Sequence, residues 1–156
     1  MKLRIVLSGC LLACVLAGPL EAQPAPAPAT AAQAAPSLYK RLGGYDALAA
    51  VTDDFLGRLV GDPQFARFFG GHSTDSLKKI RQLIVDQLCN ATGGPCVYIG
   101  RDMKTTHAGL GITEKDWEVN VKHLVATLDK FNVPAREKDE VLAAIGSLKK
   151  DIVEKP

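Results

Sequence analysis

From Ser37 onward the apolar positions recur at helical spacing, and glycines and prolines separate the runs. Ser37 is placed to cap a short helix over 38–42 that stops at Gly43-Gly44. Leu48, Val51, Phe55, Leu56 and Leu59 predict a helix over 46–60, ended by Gly61-Asp62-Pro63. Pro63 opens a short turn of helix carrying Phe65, Phe68 and Phe69, closed by Gly70-Gly71. Ser73 or Thr74 caps a helix that reaches Thr92 and stops at Gly93-Gly94-Pro95. A loop with Tyr98 and Gly100 leads to a short helix over 102–108. Thr113 and Asp116 read as a capping box for a long helix to about Asn132, and Pro134 starts the last helix, to about Val153. No run alternates with period two, so the expected class is all-α, with two short helices and four long ones.

The first 36 of the 156 residues read differently. Lys2 and Arg4 precede an apolar run from Ile5 to Ala17 that would be only ~20 Å long as a helix, too short for a ~30 Å bilayer core. This pattern predicts an export signal over 1–22, cleaved after Ala22, and a periplasmic mature protein that does not span a membrane. Leu7-Ser8-Gly9-Cys10 and Leu11-Leu12-Ala13-Cys14 resemble lipoprotein cleavage boxes, so a lipid anchor stays open as an alternative. The first box leaves too short an apolar run, and the second has a bulky Leu12 where a small residue is usual. Residues 23–36, almost all Ala, Pro and Gln, form an extended linker, which leaves 37–156 for one domain.

Without residues 1–22 the chain carries 17 basic and 16 acidic side chains, a balance that argues against nucleic acid as a partner. Only Cys89 and Cys96 remain among the cysteines. In an exported protein they can close a disulfide across a short loop, and two buried free thiols are the equal alternative. No second Cys or His pair stands at zinc-ligand spacing.

Three histidines are available: His72, His107 and His123. His72 sits in a loop, and His123 borders an apolar helical face as a structural residue. His107 ends a short helix between two long apolar ones and precedes Gly109-Leu110-Gly111, so its imidazole is suited to hold iron from one side of a flat apolar cofactor.

Several groups of residues then form one recognisable constellation: Leu38-Tyr39-Lys40-Arg41-Leu42-Gly43-Gly44, Asp53-Asp54-Phe55, Phe68-Phe69, Gly93-Gly94-Pro95, and Tyr98 with the run Gly100 to Thr113. In this order and spacing the chain resembles the group I truncated haemoglobins over nearly all of 37–153. The resemblance implies a two-on-two helical sandwich around one haem b, with His107 as proximal iron ligand, Phe69 wedged against the haem and Trp117 as an aromatic contact. Phe55, Met103 and Tyr98 join the expected haem-contacting set. Lys104 and Arg101 are expected to reach the propionates. Burial of ~400 Å² of apolar haem surface would contribute roughly 10 kcal/mol before association costs, and no Cys-x-x-Cys-His signals covalent attachment.

On the distal side the chain departs from that pattern. Many members have a Tyr directly after the Phe of the second helix, whose hydroxyl donates to the bound gas; here the residue is Leu56. On the next long helix, counting forward from Phe69 brings Leu77 and Arg81 over the iron, whereas counting back from Gly93-Gly94 brings Ile80 and Ile84 there. The expectation is an apolar distal pocket with Arg81 as its polar entrant. The functional expectation is reversible binding of a diatomic gas (oxygen, NO or CO), served by an unidentified reductase. NO-detoxifying or peroxidase-like haem chemistry is one alternative, and a cofactor-free helical interaction module is the other.

Overall fold

The computed structural model describes residues 35–155. The expected export signal therefore lies outside the described residues, as does the linker apart from Ala35 and Pro36. The described helices are α1 (Leu38–Arg41), α2 (Gly44–Gly61), a 3₁₀ turn (Pro63–Phe65), α3 (Ala66–Phe69), α4 (Thr74–Ala91), α5 (Met103–His107), α6 (Glu114–Lys130), α7 (Ala135–Gly146) and α8 (Lys149–Ile152). Among the described residues the one β feature is an isolated bridge between Thr113 and Lys155.

Local chemistry accounts for most of these boundaries. Ser37 caps α1, and the Ser73 hydroxyl accepts from the Ser76 amide at the start of α4. Thr113 and Asp116 form a reciprocal capping box on α6. The helix α2 begins two residues earlier than the apolar pattern suggests, because Gly43 adopts φ +96° and reverses the chain directly into it. At the C-terminus the expected single helix to Val153 is corrected to two. It breaks after Gly146, where the Ser147 hydroxyl donates to the Ala144 carbonyl and the Leu148 amide makes a tighter bond to Ile145. Glycine and a back-bonding serine in succession are weak helix formers.

The helix α2 packs on both α4 and α6, and α6 packs on α7, giving two layers of two helices. Val51 of α2, Leu124 and Leu128 of α6 and Val141 of α7 form the buried centre, with Leu38, Leu42 and Phe55 against it. Removal of this apolar surface from water is the main stabilising term. Charged side chains lock the edges. Asp54 accepts from Arg58 at 2.7 Å, from the Thr127 hydroxyl at 2.9 Å and from Lys130, joining α2 to α6. Arg41 reaches from α1 to Glu137 (2.9 Å) and Glu140 of α7.

Cys89 and Cys96 are disulfide-bonded, with Cα atoms 5.7 Å apart, which resolves the open alternative. The bond ties the buried end of α4 to the loop that carries Tyr98. Gly94 lies inside this turn. A Cβ there would come within 2.5 Å of the Tyr39 ring and 2.7 Å of the Cys89 sulfur, so no larger residue fits.

Two predictions follow from these contacts. Replacing both cysteines by serine should lower the unfolding free energy by about 2.5 kcal/mol, the loop-closure value for a link across seven residues, as measured by urea titration. Added reductant should then destabilise the parent protein and leave the double variant unchanged. Lys130 first, then Arg58, holds the Asp54 carboxyl far below the usual carboxylate range. The folded value is thus below the unfolded one, so this stabilisation is complete above about pH 4 and is lost as pH falls towards the folded value. Asp54→Asn should reduce stability at neutral pH and flatten its decline below about pH 4 in acid titrations followed by circular dichroism.

Candidate cofactor site

The site is organised by a five-residue helix. Asp102 caps α5, one carboxylate oxygen accepting from the Thr105 amide at 2.8 Å and the other from its hydroxyl at 2.7 Å. His107 is the last residue of α5, and its Nδ1 lies 2.8 Å from the Met103 carbonyl oxygen one turn earlier. A carbonyl only accepts, so Nδ1 carries the proton and the lone pair is on Nε2. Among the described residues Nε2 has no hydrogen-bond partner. This arrangement, with one ring nitrogen oriented by a carbonyl and the other bare, is that of a metal-binding imidazole.

The ring borders two adjoining apolar cavities of about 640 and 410 Å³. Phe55 of α2, Ile80 and Ile84 of α4, and Trp117 and Asn120 of α6 border both. Tyr98 and Met103 line the larger cavity; Leu56 and Phe69 line the smaller. Tyr98 keeps its ring there by donating its hydroxyl to the Arg101 carbonyl at 2.7 Å. Burial, chiefly, and the nearby Asp102 charge raise the Tyr98 hydroxyl above its ordinary pKa, so it remains a neutral donor.

Three expected residues border neither cavity: Leu77, Arg81 and Lys104. The helix α4 adopts the register counted back from Gly93-Gly94, which turns Ile80 and Ile84 inward and leaves Leu77 one turn short. Arg81 points outward, where it makes a bidentate pair with Asp53 at 2.7 and 2.9 Å, so it is not the polar entrant. Asp53 holds the guanidinium so well that each partner favours the other's charged state. Lys104 lies on the exposed side of α5, and Arg101 borders the larger cavity in its place.

Other lining residues carried little signal in the chain. Asn120 stands three residues after Trp117, hence on the same helical face, but a polar residue there reads as solvated. Gln87 lines the larger cavity and donates to the Met103 sulfur at 3.3 Å. Ile152 borders both cavities from α8, an element that the pattern merged into the preceding helix. His72 borders the smaller cavity from its exposed loop. His123 instead bonds Asp62 at 2.8 Å through Nε2, a structural role.

The lining decides what kind of group fits. Among the described residues no three His, Cys, Asp or Glu side chains gather as a metal-ion site, so a bare ion would have too few ligands. A single oriented imidazole in an apolar cleft suits a metal that brings its own in-plane ligands and an apolar body. Ile99, 83 % exposed at the rim of the larger cavity, is a large apolar surface of the kind that such a body would cover. The residues present therefore fit haem.

Comparison with known proteins agrees. The family model for bacterial-like globins matches residues 37–154. The group 1 truncated haemoglobin GlbN of Mycolicibacterium paratuberculosis is 36 % identical over 116 residues, covering 74 % of this chain and 83 % of that protein. The group 1 truncated haemoglobin GlbN of Nostoc commune is 32 % identical over 119 residues, 76 % of this chain and 98 % of its own length. Among solved structures, the Fe(III) form of the Tetrahymena pyriformis truncated haemoglobin superposes with a TM-score of 0.70 at 27 % identity, covering 77 % of this chain and all of that one. With this fold and this match along nearly the whole described domain, the chain belongs to the bacterial-like globins and, within them, to the group 1 truncated haemoglobins, haem-binding globins of the two-on-two fold.

Proposed function

We propose that this globin holds haem b through the Nε2 of His107 and reversibly binds a diatomic gas on the opposite face of the iron, as an exported protein. The observation that carries the reading is the His107 Nδ1–Met103 hydrogen bond, which leaves one unprotonated imidazole nitrogen in an apolar cleft. Haem, when bound, would supply an iron able to take oxygen, NO or CO.

The protein's own residues do the rest. Phe55, Ile80 and Ile84 exclude water from the cleft, and Phe69 and Trp117, the latter 8 % exposed, form aromatic walls for an apolar ring system. Arg101, which lines the larger cavity, would be the cation available to a propionate. Leu56 offers no hydroxyl, so oxygen, which depends on a polar donor more than CO or NO does, is held less firmly than it would be beside a tyrosine. Gas binding is favoured over NO-detoxifying chemistry, which needs a firmly held oxygen, and over peroxidase-like chemistry, because the α2 and α4 surfaces of the cleft present no free acid or base. An apolar cleft of this size is not expected of a cofactor-free interaction module. The Cys89–Cys96 disulfide supports export, in keeping with the basic-then-apolar start of the chain.

Two measurements test this reading. His107→Gly should lose the haem Soret band on gel filtration, and added imidazole should restore it; a variant that retains haem with an unchanged ferrous spectrum would contradict the assignment. Leu56→Tyr should slow oxygen dissociation by roughly ten- to a hundred-fold, the worth of one charge-assisted hydrogen bond, while changing CO dissociation much less. Stopped-flow ligand replacement reads both rates.

A further inference from the structure

The C-terminal tail grips the loop that follows His107. That loop has little order of its own: α5 is only five residues long, and Gly109 and Gly111 both have positive φ, +82° and +64°. Glycines in this conformation lose much backbone freedom on folding, and the loop sequence offers no side chain to hold them. The partner comes from 43 and 45 residues away. The Glu154 carboxylate accepts from the Gly109 amide at 2.6 Å through one oxygen and from the Gly111 amide at 2.5 Å through the other.

The backbone around Glu154 completes the grip. The Glu154 and Lys155 amides donate to the Ile112 carbonyl at 2.9 and 3.1 Å, and the Glu114 amide donates to the Lys155 carbonyl at 3.2 Å. Thr113 and Lys155 form the isolated parallel bridge. Just before the tail, α8 packs on α5 and places Ile152 against both cavities. The segment from Gly109 to Glu114 is thus fastened between the end of α5 and the start of α6.

We propose that Glu154 is the positioning residue for His107: by fixing the two glycine amides that follow it, the carboxylate sets the direction and pull of the imidazole on the haem iron. The inference rests on the reading of His107 as the iron ligand. An imidazole on a loose loop can still bind, but it samples several orientations and follows the metal less firmly. Charge-assisted bonds to two amides of one short loop are strong enough to select one of those orientations. Both oxygens are needed. A glutamine at this position has the same shape but turns an NH₂ towards one of the two N–H donors.

The test compares the haem-loaded parent protein with Glu154→Ala, Glu154→Gln and Glu154→Asp by three readouts. These are hydrogen exchange of the Gly109 and Gly111 amides, the iron–imidazole stretching band of the ferrous protein by resonance Raman, and the rate of haem loss to an acceptor apoglobin. Glu154→Ala and Glu154→Gln should speed exchange at both glycines, shift or broaden the band, and raise haem loss by about tenfold, the effect of about one lost charge-assisted bond. Glu154→Asp should recover part of each effect. Faster glycine exchange with an unchanged band and an unchanged rate of haem loss would overturn the proposal, leaving the tail a purely structural clasp. Unchanged glycine exchange would overturn it too. His107→Gly runs alongside: if that variant keeps the same band, the ligand assignment itself fails, a result distinct from any that bears on Glu154 alone.

Discussion

The site depends on one hydrogen bond within a five-residue helix. With its Nδ1 proton held by the Met103 carbonyl at 2.8 Å, His107 has a single tautomer and a single bare nitrogen. Much of the surrounding structure serves to keep that helix in place. Asp102 starts it, Glu154 fastens the loop that leaves it, and the disulfide at Cys89 and Cys96 anchors the loop that enters it. The two helical layers then hold an apolar cleft beside the ring, whose walls come from α2, α4 and α6. A short helix would be marginal in isolation, so its order comes from these tethers rather than from its own propensity.

Polar groups near the cleft are handled in a consistent way: most are turned outward or satisfied locally. Arg81 pairs with Asp53, Gln82 bonds the Tyr45 hydroxyl, and the Thr52 hydroxyl donates to the carbonyl of Leu48. Asp116, only 4 % exposed, is the exception in depth but not in satisfaction. Burial works against its ionisation, yet the Thr113 amide, Gln64, the Thr113 hydroxyl and Arg67 together keep its carboxyl below the ordinary range. It ties the 3₁₀ turn and α3, hence Phe65 and Phe69, to the start of α6. Asn120 stands out because it borders both cavities and makes no side-chain hydrogen bond among the described residues.

The helical architecture was legible in the chain because apolar spacing, caps and Gly-Gly or Pro stops agree at nearly every boundary. The position of His107 beside the cavities was legible too, since it is the one of three histidines that ends a short helix between long apolar ones. The distal side was not. Helical periodicity fixes which residues share a face, but not which turn of that face meets the cavity, so Leu77 with Arg81 and Ile80 with Ile84 remained equal choices. Tertiary packing of α4 on α2 decided between them, and a surface ion pair with Asp53 removed Arg81. Glu154 was invisible for a related reason: its partners are backbone amides 43 and 45 residues away, and no side-chain pattern records them.

The central claim is that one imidazole, oriented through Nδ1 by its own helix, holds the iron. Nitrogen-15 histidine labelling of the haem-loaded paramagnetic protein tests it most directly. The account predicts one strongly hyperfine-shifted, slowly exchanging ring N–H, assigned to the Nδ1 of His107 and absent in His107→Gly. A shifted ring resonance that belongs to His72 or His123, or that persists without His107, would contradict it.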